Sequence, residues 1–205
     1  DDQTPDTAGM YPCDTAEDAY TAATDANGDK LPVSISSPKG ATSASQCYAT
    51  NLEYKSSTNN ATGAKTCRYN TTLKSYDKSV DCDAPKILTC TAGHYLKGDA
   101  DTDCTETESG YYSAAKELYR HACPFLVEEY EEGYEEEYSI STALGATQIG
   151  ACYLEGAWST PEGSHSGQRG DCYWNVDSSG DSIDAYNTNC KKTIIVTCDE
   201  GYWDA

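Results

Sequence analysis

Eleven cysteines constrain this chain of 205 residues more than any other feature of its sequence. They are Cys13, Cys47, Cys67, Cys82, Cys90, Cys104, Cys123, Cys152, Cys172, Cys190 and Cys198. A reducing cytosol rarely holds so many structural thiols, so the choice lies between disulfides and metal ligation. Zinc and iron–sulfur sites draw on close pairs of the C-x2-C type. Here 7 to 33 residues separate successive cysteines, and no such pair occurs. Disulfides are therefore expected, and with them an extracellular or cell-surface setting. Each bridge would contribute on the order of 2–4 kcal/mol, chiefly by restricting the unfolded chain.

The cysteines also carry an internal repeat. At an offset of 105 residues Ser34-Ile35-Ser36 falls on Ser139-Ile140-Ser141, and Gly40-Ala41-Thr42 falls on Gly145-Ala146-Thr147. Cys47-Tyr48 falls on Cys152-Tyr153, and Cys67 on Cys172. Each copy then has two cysteines separated by seven residues, Cys82 to Cys90 and Cys190 to Cys198. A common trailer follows: Cys90-Thr-Ala-Gly93-His-Tyr95 and Cys198-Asp-Glu-Gly201-Tyr-Trp203. Self-similarity at a fixed period marks repeated structural units. Two tandem modules are expected, residues 1–105 and 106–205, with the boundary near Thr105–Ser109.

Cys104 has no counterpart in the second copy, which leaves it as the odd cysteine, either free or bridging to another molecule. The second copy stops before any equivalent of that residue. The segment Asp1–Cys13 of a neighbouring molecule is a candidate for completing it, against the alternative of a frayed tail with a local free cysteine. The start Asp1-Asp2-Gln3-Thr4-Pro5 is expected to be a mature end left after removal of a leader.

Short β-type segments bounded by Gly, Asn, Asp and Ser clusters predict small antiparallel sheets. They are Leu31–Ser37, Gln46–Tyr54, Thr66–Leu73, Lys86–Leu96, Ser139–Leu144, Ala151–Trp158, Cys172–Val176 and Thr193–Trp203. Short helices are expected over Thr15–Thr24 and over Ala114–Ala122, the latter capped by Ser113. A third, Glu128–Tyr138, would stack Tyr130, Tyr134 and Tyr138 on one face. The fold class is mainly β: two tandem homologous, disulfide-stapled antiparallel β domains with one or two short helices each. The core will be thin, since one Met and one Phe stand against 17 Tyr and 3 Trp.

A formal net charge of −20 repels phosphate backbones and anionic membranes, so nucleic acid is excluded as a partner. No apolar run approaches the roughly 20 residues of a membrane span. The three histidines, His94, His121 and His165, stand beside no credible nucleophile. Gly163-Ser-His-Ser-Gly167 has His where a nucleophile elbow needs Ser. No enzyme is expected and no cofactor, apart from Ca²⁺ as a candidate. Asp25-Ala-Asn27-Gly-Asp29 spaces three oxygen donors at alternate residues, as calcium loops do, although an EF-hand would want Gly at Lys30 and Glu at Ser36. Asp99-Ala-Asp101-Thr-Asp103 has the same spacing. Asn60-Ala-Thr62 and Asn70-Thr-Thr72 are N-glycosylation sequons, so covalently attached glycans are expected.

The run Cys90-x2-Gly93-His-Tyr95-Leu, Cys104, Gly110-Tyr-Tyr-Ser113 and Cys123 resembles the C-x2-G-x-Y repeats of growth-factor-receptor-like, cysteine-rich surface modules. That resemblance implies a rod-like, disulfide-laddered extracellular element without catalysis. The functional expectation is a structural subunit of an extracellular assembly, a pilus-like filament or fibre whose partners are copies of itself joined head to tail. Tyr130, Tyr134, Tyr138 and Trp203 are its candidate interface residues. The alternative is a secreted monomeric adhesin or carbohydrate-binding module using Trp158, Trp174 and Trp203 as a sugar platform, although Tyr69 and Tyr95 align with Trp174 and Trp203 as core positions would.

Overall fold

The computed structural model describes residues 10–13, 19–124, 140–159, 165–174, 176–177, 179–180 and 189–198. Of residues 156–159, 165–170 and 189–198 the backbone alone is described. The chain is mainly β and its sheets are antiparallel. It divides into two compact units. Unit 1 takes in the described residues up to Thr91, together with Leu96–Thr105 and Lys116–Leu118. Unit 2 takes in Ala92–Tyr95, Glu106–Ala115 and the described residues from Tyr119 onward.

Unit 1 is built on a four-stranded sheet in sequential order: β1 (Ser34–Ser36), β2 (Tyr48–Lys55), β3 (Ala61–Arg68) and β4 (Lys86–Cys90). Strict alternation along β2 would put Ala49 and Leu52 on opposite faces. A register shift between them resets the pleat, with Asn51 at φ 59°. Asn51 Nδ2 donates to the Pro32 carbonyl at 2.8 Å. Ala49 and Leu52 thereby reach one core with Cys47, Cys67 and Tyr76, all nearly or fully buried. The Tyr20 and Tyr69 rings lie 5.5 and 5.0 Å from the Tyr76 ring. A second cluster joins Ala61, Ile87, Cys90 and Cys104.

Four short strands in two pairs follow the sheet before the strands of unit 2's four-stranded sheet begin. They are β5 (His94–Tyr95) with β6 (Thr105–Glu106), and β7 (Tyr111–Tyr112) paired with β8 (His121–Ala122). Unit 2's sheet is β9 (Ile140–Ser141), β10 (Tyr153–Ser159), β11 (His165–Tyr173) and β12 (Asn189–Cys198), again in sequential order. Its core joins Cys123, Cys152, Cys172 and Trp174.

Local geometry recurs at the 105-residue offset. Ser36 faces Tyr48 as Ser141 faces Tyr153, and Ala49 faces Cys67 as Leu154 faces Cys172. A single 3-10 turn leads into the strand at both places, Ala44–Gln46 and Ile149–Ala151. The Tyr69 N–H donates to the Cys47 carbonyl at 2.9 Å, and the Trp174 N–H to the Cys152 carbonyl at 2.9 Å.

The helical expectations fail wherever they fall on described residues. Ala19–Thr24 carries no α-helix: Ala22 bridges to Leu52 and Thr24 to Lys30. A helix of ten residues is marginal in water, and pairing with β2 offers this segment's backbone a fixed partner instead. The Glu53 N–H donates to the Thr21 carbonyl, and the Ala23 N–H to the Asn51 carbonyl. Ser113 does not cap a helix. It is fully buried, and its hydroxyl lies 2.9 and 3.0 Å from the His94 and Tyr119 carbonyls. Residues 114–122 instead form a turn, with Lys116 at φ 73°, and end in β8. Among the described residues the named helices are the two 3-10 turns. Glu128–Tyr138 lies outside them. Strand bounds also shift: β3 runs from Ala61 to Arg68 rather than from Thr66, β4 ends at Cys90 rather than Leu96, β11 starts at His165 rather than Cys172, and β12 starts at Asn189 rather than Thr193.

Gly93 shows why its motif holds a glycine. Its φ is +76°, and a Cβ placed there would stand 2.2 Å from the Gly145 carbonyl oxygen. The substitution Gly93→Ala combines a left-handed penalty of about 1–2 kcal/mol with a backbone clash of about 1–3 kcal/mol. Gly40, at φ +82° with nothing within 4 Å, would incur the first cost alone. Urea unfolding followed by tryptophan fluorescence is expected to show Gly93→Ala destabilised clearly more than Gly40→Ala.

Candidate functional site

The most closely knit polar cluster of unit 2 is centred on Arg120. Its guanidinium carbon lies 3.9 Å from the centre of the Tyr111 ring and 4.7 Å from that of Tyr95. A cation between two aromatic faces is held by both ring quadrupoles. Arg120 Nη1 also pairs with Glu108 Oε2. Tyr95 Oη donates to Glu108 Oε1 at 3.0 Å. The short strands supply these groups: β5 gives Tyr95, β7 gives Tyr111, and Arg120 directly precedes β8. His121 stacks on Tyr112 at 5.0 Å and meets Tyr119 edge-on at 5.0 Å.

Electrostatics follow from that packing. Burial raises the Tyr95 phenol above its ordinary value, and its hydrogen bond to Glu108 adds to the rise. The Glu108 carboxyl lies below the usual carboxylate range, first through its own backbone N–H. Tyr95 and Arg120 lower it further, against an opposing desolvation effect. Tyr95 and Arg120 both meet the Glu108 carboxylate inside the cluster, so the arrangement clamps the short strands together. Sequence reasoning missed it. The available signal was Arg120, one of three arginines in an acidic chain, close after Gly110-Tyr-Tyr.

The structure does not gather the expected site residues at one place. Asp25 Oδ1 accepts the N–H groups of Asn27 and Asp29, both at 2.9 Å. That loop is a turn closed on itself and clamped by the Thr24–Lys30 bridge, with Gly28 at φ +92°. Asp101 accepts the Gly98 N–H, and Asp103 accepts the Cys104 N–H and the Thr58 hydroxyl. Among the described residues no three His, Cys, Asp or Glu gather as a metal-binding group. Asn60 is half-buried at the end of the β2–β3 turn, and its sequon partner Thr62 lies 2.6 Å from the Thr89 hydroxyl. Asn70 uses Oδ1 to accept the N–H groups of Thr72 and Leu73. Trp174 is 4% exposed within the core of unit 2. Tyr130, Tyr134, Tyr138 and Trp203 lie outside the described residues.

The cysteines pair locally. Cys13–Cys47, Cys67–Cys82, Cys90–Cys104 and Cys123–Cys152 are disulfides. Cys104 is therefore not the odd cysteine: it closes a loop with Cys90, its neighbour in the chain. Cys172 is also disulfide-bonded, and the β11–β12 register sets Cys190 opposite it, as Cys82 stands opposite Cys67. Among the described residues no helix is long and apolar enough to cross a membrane.

Peptide mapping of unreduced protein is expected to recover the four pairs and to place Cys172 with Cys190; a Cys172–Cys198 peptide would overturn the register argument. A second expectation concerns Glu108. Its pKa is depressed in the fold, so the stability it contributes is present above its unfolded value and is lost as pH falls through the folded one. Wild type and Glu108→Gln are expected to differ in unfolding midpoint near neutral pH and to converge below the ordinary carboxylate range. A constant difference across that range would remove the charge from the clamp. Comparison of the chain with protein-family models, with curated proteins and with solved structures yields no match to any of them.

Proposed function

We propose that the chain is a structural subunit of an extracellular fibre, made of two copies of one disulfide-stapled β module and joined head to tail to further copies of itself. The observation that carries this reading is the recurrence of register and 3-10 turn at an offset of 105 residues, with Cys47 and Cys152, at that same offset, each bridged to a cysteine earlier in the chain. Heterologous contacts between like modules of neighbouring chains propagate into open filaments when the rotation does not close. Local disulfides suit a unit assembled outside the cell, and glycans on Asn60 and Asn70 would solubilise its surface. The clamp around Arg120 supports a structural role, since Tyr95, Glu108 and Arg120 tie the short strands to one another. A sugar platform would have to do without Trp174, which packs in the core.

Negative-stain microscopy of native secreted material tests the reading. Filaments are expected, and they should persist when the sample is alkylated before reduction is attempted. Uniform particles of about one chain's mass, 22.1 kDa plus any glycan, would overturn it.

A further inference from the structure

The loop that receives Gly93 in unit 2 has a twin that is left open. In unit 2 Gly145 and Ala146 of the loop Gly145-Ala146-Thr147 are covered, whereas Thr147 is exposed as Thr42 is. Gly93 packs against the Gly145 carbonyl, the Gly145 N–H donates to the Thr107 carbonyl at 3.0 Å, and the Ser113 N–H donates to the Ala146 carbonyl at 3.0 Å. Ala146 is 7% exposed as a result. The same three residues occur 105 positions earlier as Gly40-Ala41-Thr42. There all three are exposed, and nothing lies within 4 Å of a Cβ built on Gly40. Neither the Gly40 N–H nor the Ala41 carbonyl has a partner among the described residues.

The covering segment also has a twin. Cys90-Thr91-Ala92-Gly93-His94-Tyr95, which brings Gly93 to its loop, is matched in sequence by Cys198-Asp199-Glu200-Gly201-Tyr202-Trp203. We propose that the Gly40–Thr42 loop of one chain receives the Cys198–Trp203 segment of a second copy, with Gly201 taking the place that Gly93 takes on Gly145. The proposal rests on the fibre reading above and gives it a contact surface.

Charge adds a separate argument. Where the covered loop has Leu144 before its glycine, the open loop has Lys39. Where the segment within the chain has Thr91-Ala92 before its glycine, the other has Asp199-Glu200. The pair used within the chain is uncharged at these positions, and the pair left for a second copy is opposite in sign. Complementary charge of this kind fixes which partners meet more than it adds affinity. The contact between chains is thus distinguished from the one within them.

Sedimentation velocity of the disulfide-intact chain tests this through complementation. Ala41→Arg places bulk on an exposed loop residue and blocks the receiving end; Gly201→Val blocks the inserting end. Each variant alone is expected to sediment as a monomer, and their equimolar mixture as a dimer that grows no further, because only one productive pair of ends remains. Lys39→Glu is expected to weaken association roughly tenfold or more and Glu200→Lys to restore it in the double variant. This charge pair also guards against misfolding of the bulkier variants. If the wild type itself sediments as a monomer, both the fibre reading and this contact fall. If it associates while Ala41→Arg and Gly201→Val still assemble as it does, the contact falls and the fibre reading stands.

Discussion

Disulfide sulfur lies in the core of each unit, and the rest of the architecture depends on it. Cys47 and Cys67 are two of the five buried residues of unit 1's main core, and three of the four buried residues in unit 2's core are cysteines. Such cores contain few large aliphatic side chains; Leu52 is the largest aliphatic residue fully buried in unit 1. Apolar burial alone would leave modules of this size marginal. Bridges placed within the core serve two ends at once. They fill volume as small apolar groups and restrict the unfolded chain that competes with the fold. The short strands are tolerable only on those terms, since β9 has two residues and β1 three.

Glycine and asparagine then do the shaping that longer strands would do elsewhere. Asn51 absorbs the left-handed turn that brings Ala49 and Leu52 to one core. Gly63 lets β3 approach β4, where any Cβ would stand 2.3 Å from the Lys86 carbonyl oxygen. Gly93 does the same between two loops of unit 2. Side-chain volume is removed where backbones must meet, and cystine or tyrosine supplies it where they must stay apart.

Much of this was legible in the sequence, and the gaps have physical causes. The mainly β, antiparallel and disulfide-bonded character was legible, and at the offset of 105 residues the pairings Ser36–Tyr48 and Ala49–Cys67 recur as Ser141–Tyr153 and Leu154–Cys172. The alanine-rich stretch ending at Thr24 read as a helix because propensity is local, whereas its backbone partners, Asn51 and Glu53, lie far along the chain. The clamp had only the rarity of Arg120 to announce it: Tyr95, Glu108, Tyr111 and Arg120 follow no periodicity and meet only because short strands turn back on one another. Cys104 misled through the repeat itself, since a residue without a counterpart looks unpaired when its partner is sought in the other copy rather than fourteen residues upstream. The approach of Gly93 to Gly145 was likewise hidden, although both glycines stood out as motif residues.

The ring closed by Cys90–Cys104 has a mechanical meaning. The two cysteines lie in unit 1, yet Ala92–Tyr95, inside the loop they close, belongs to unit 2. A pull along the chain would enter the loop at one cysteine and leave at the other through the sulfur–sulfur bond. The backbone between them would carry almost no load. Gly93 and Tyr95 would keep their places while the chain on either side was under tension. Loops of 34, 15 and 29 residues are short-circuited in the same way by the remaining described bridges. Tension would pass instead into the stretches between the bridged loops, such as 48–66, so that the pairing of β2 with β3, and not the looped segments, would set how far the chain extends.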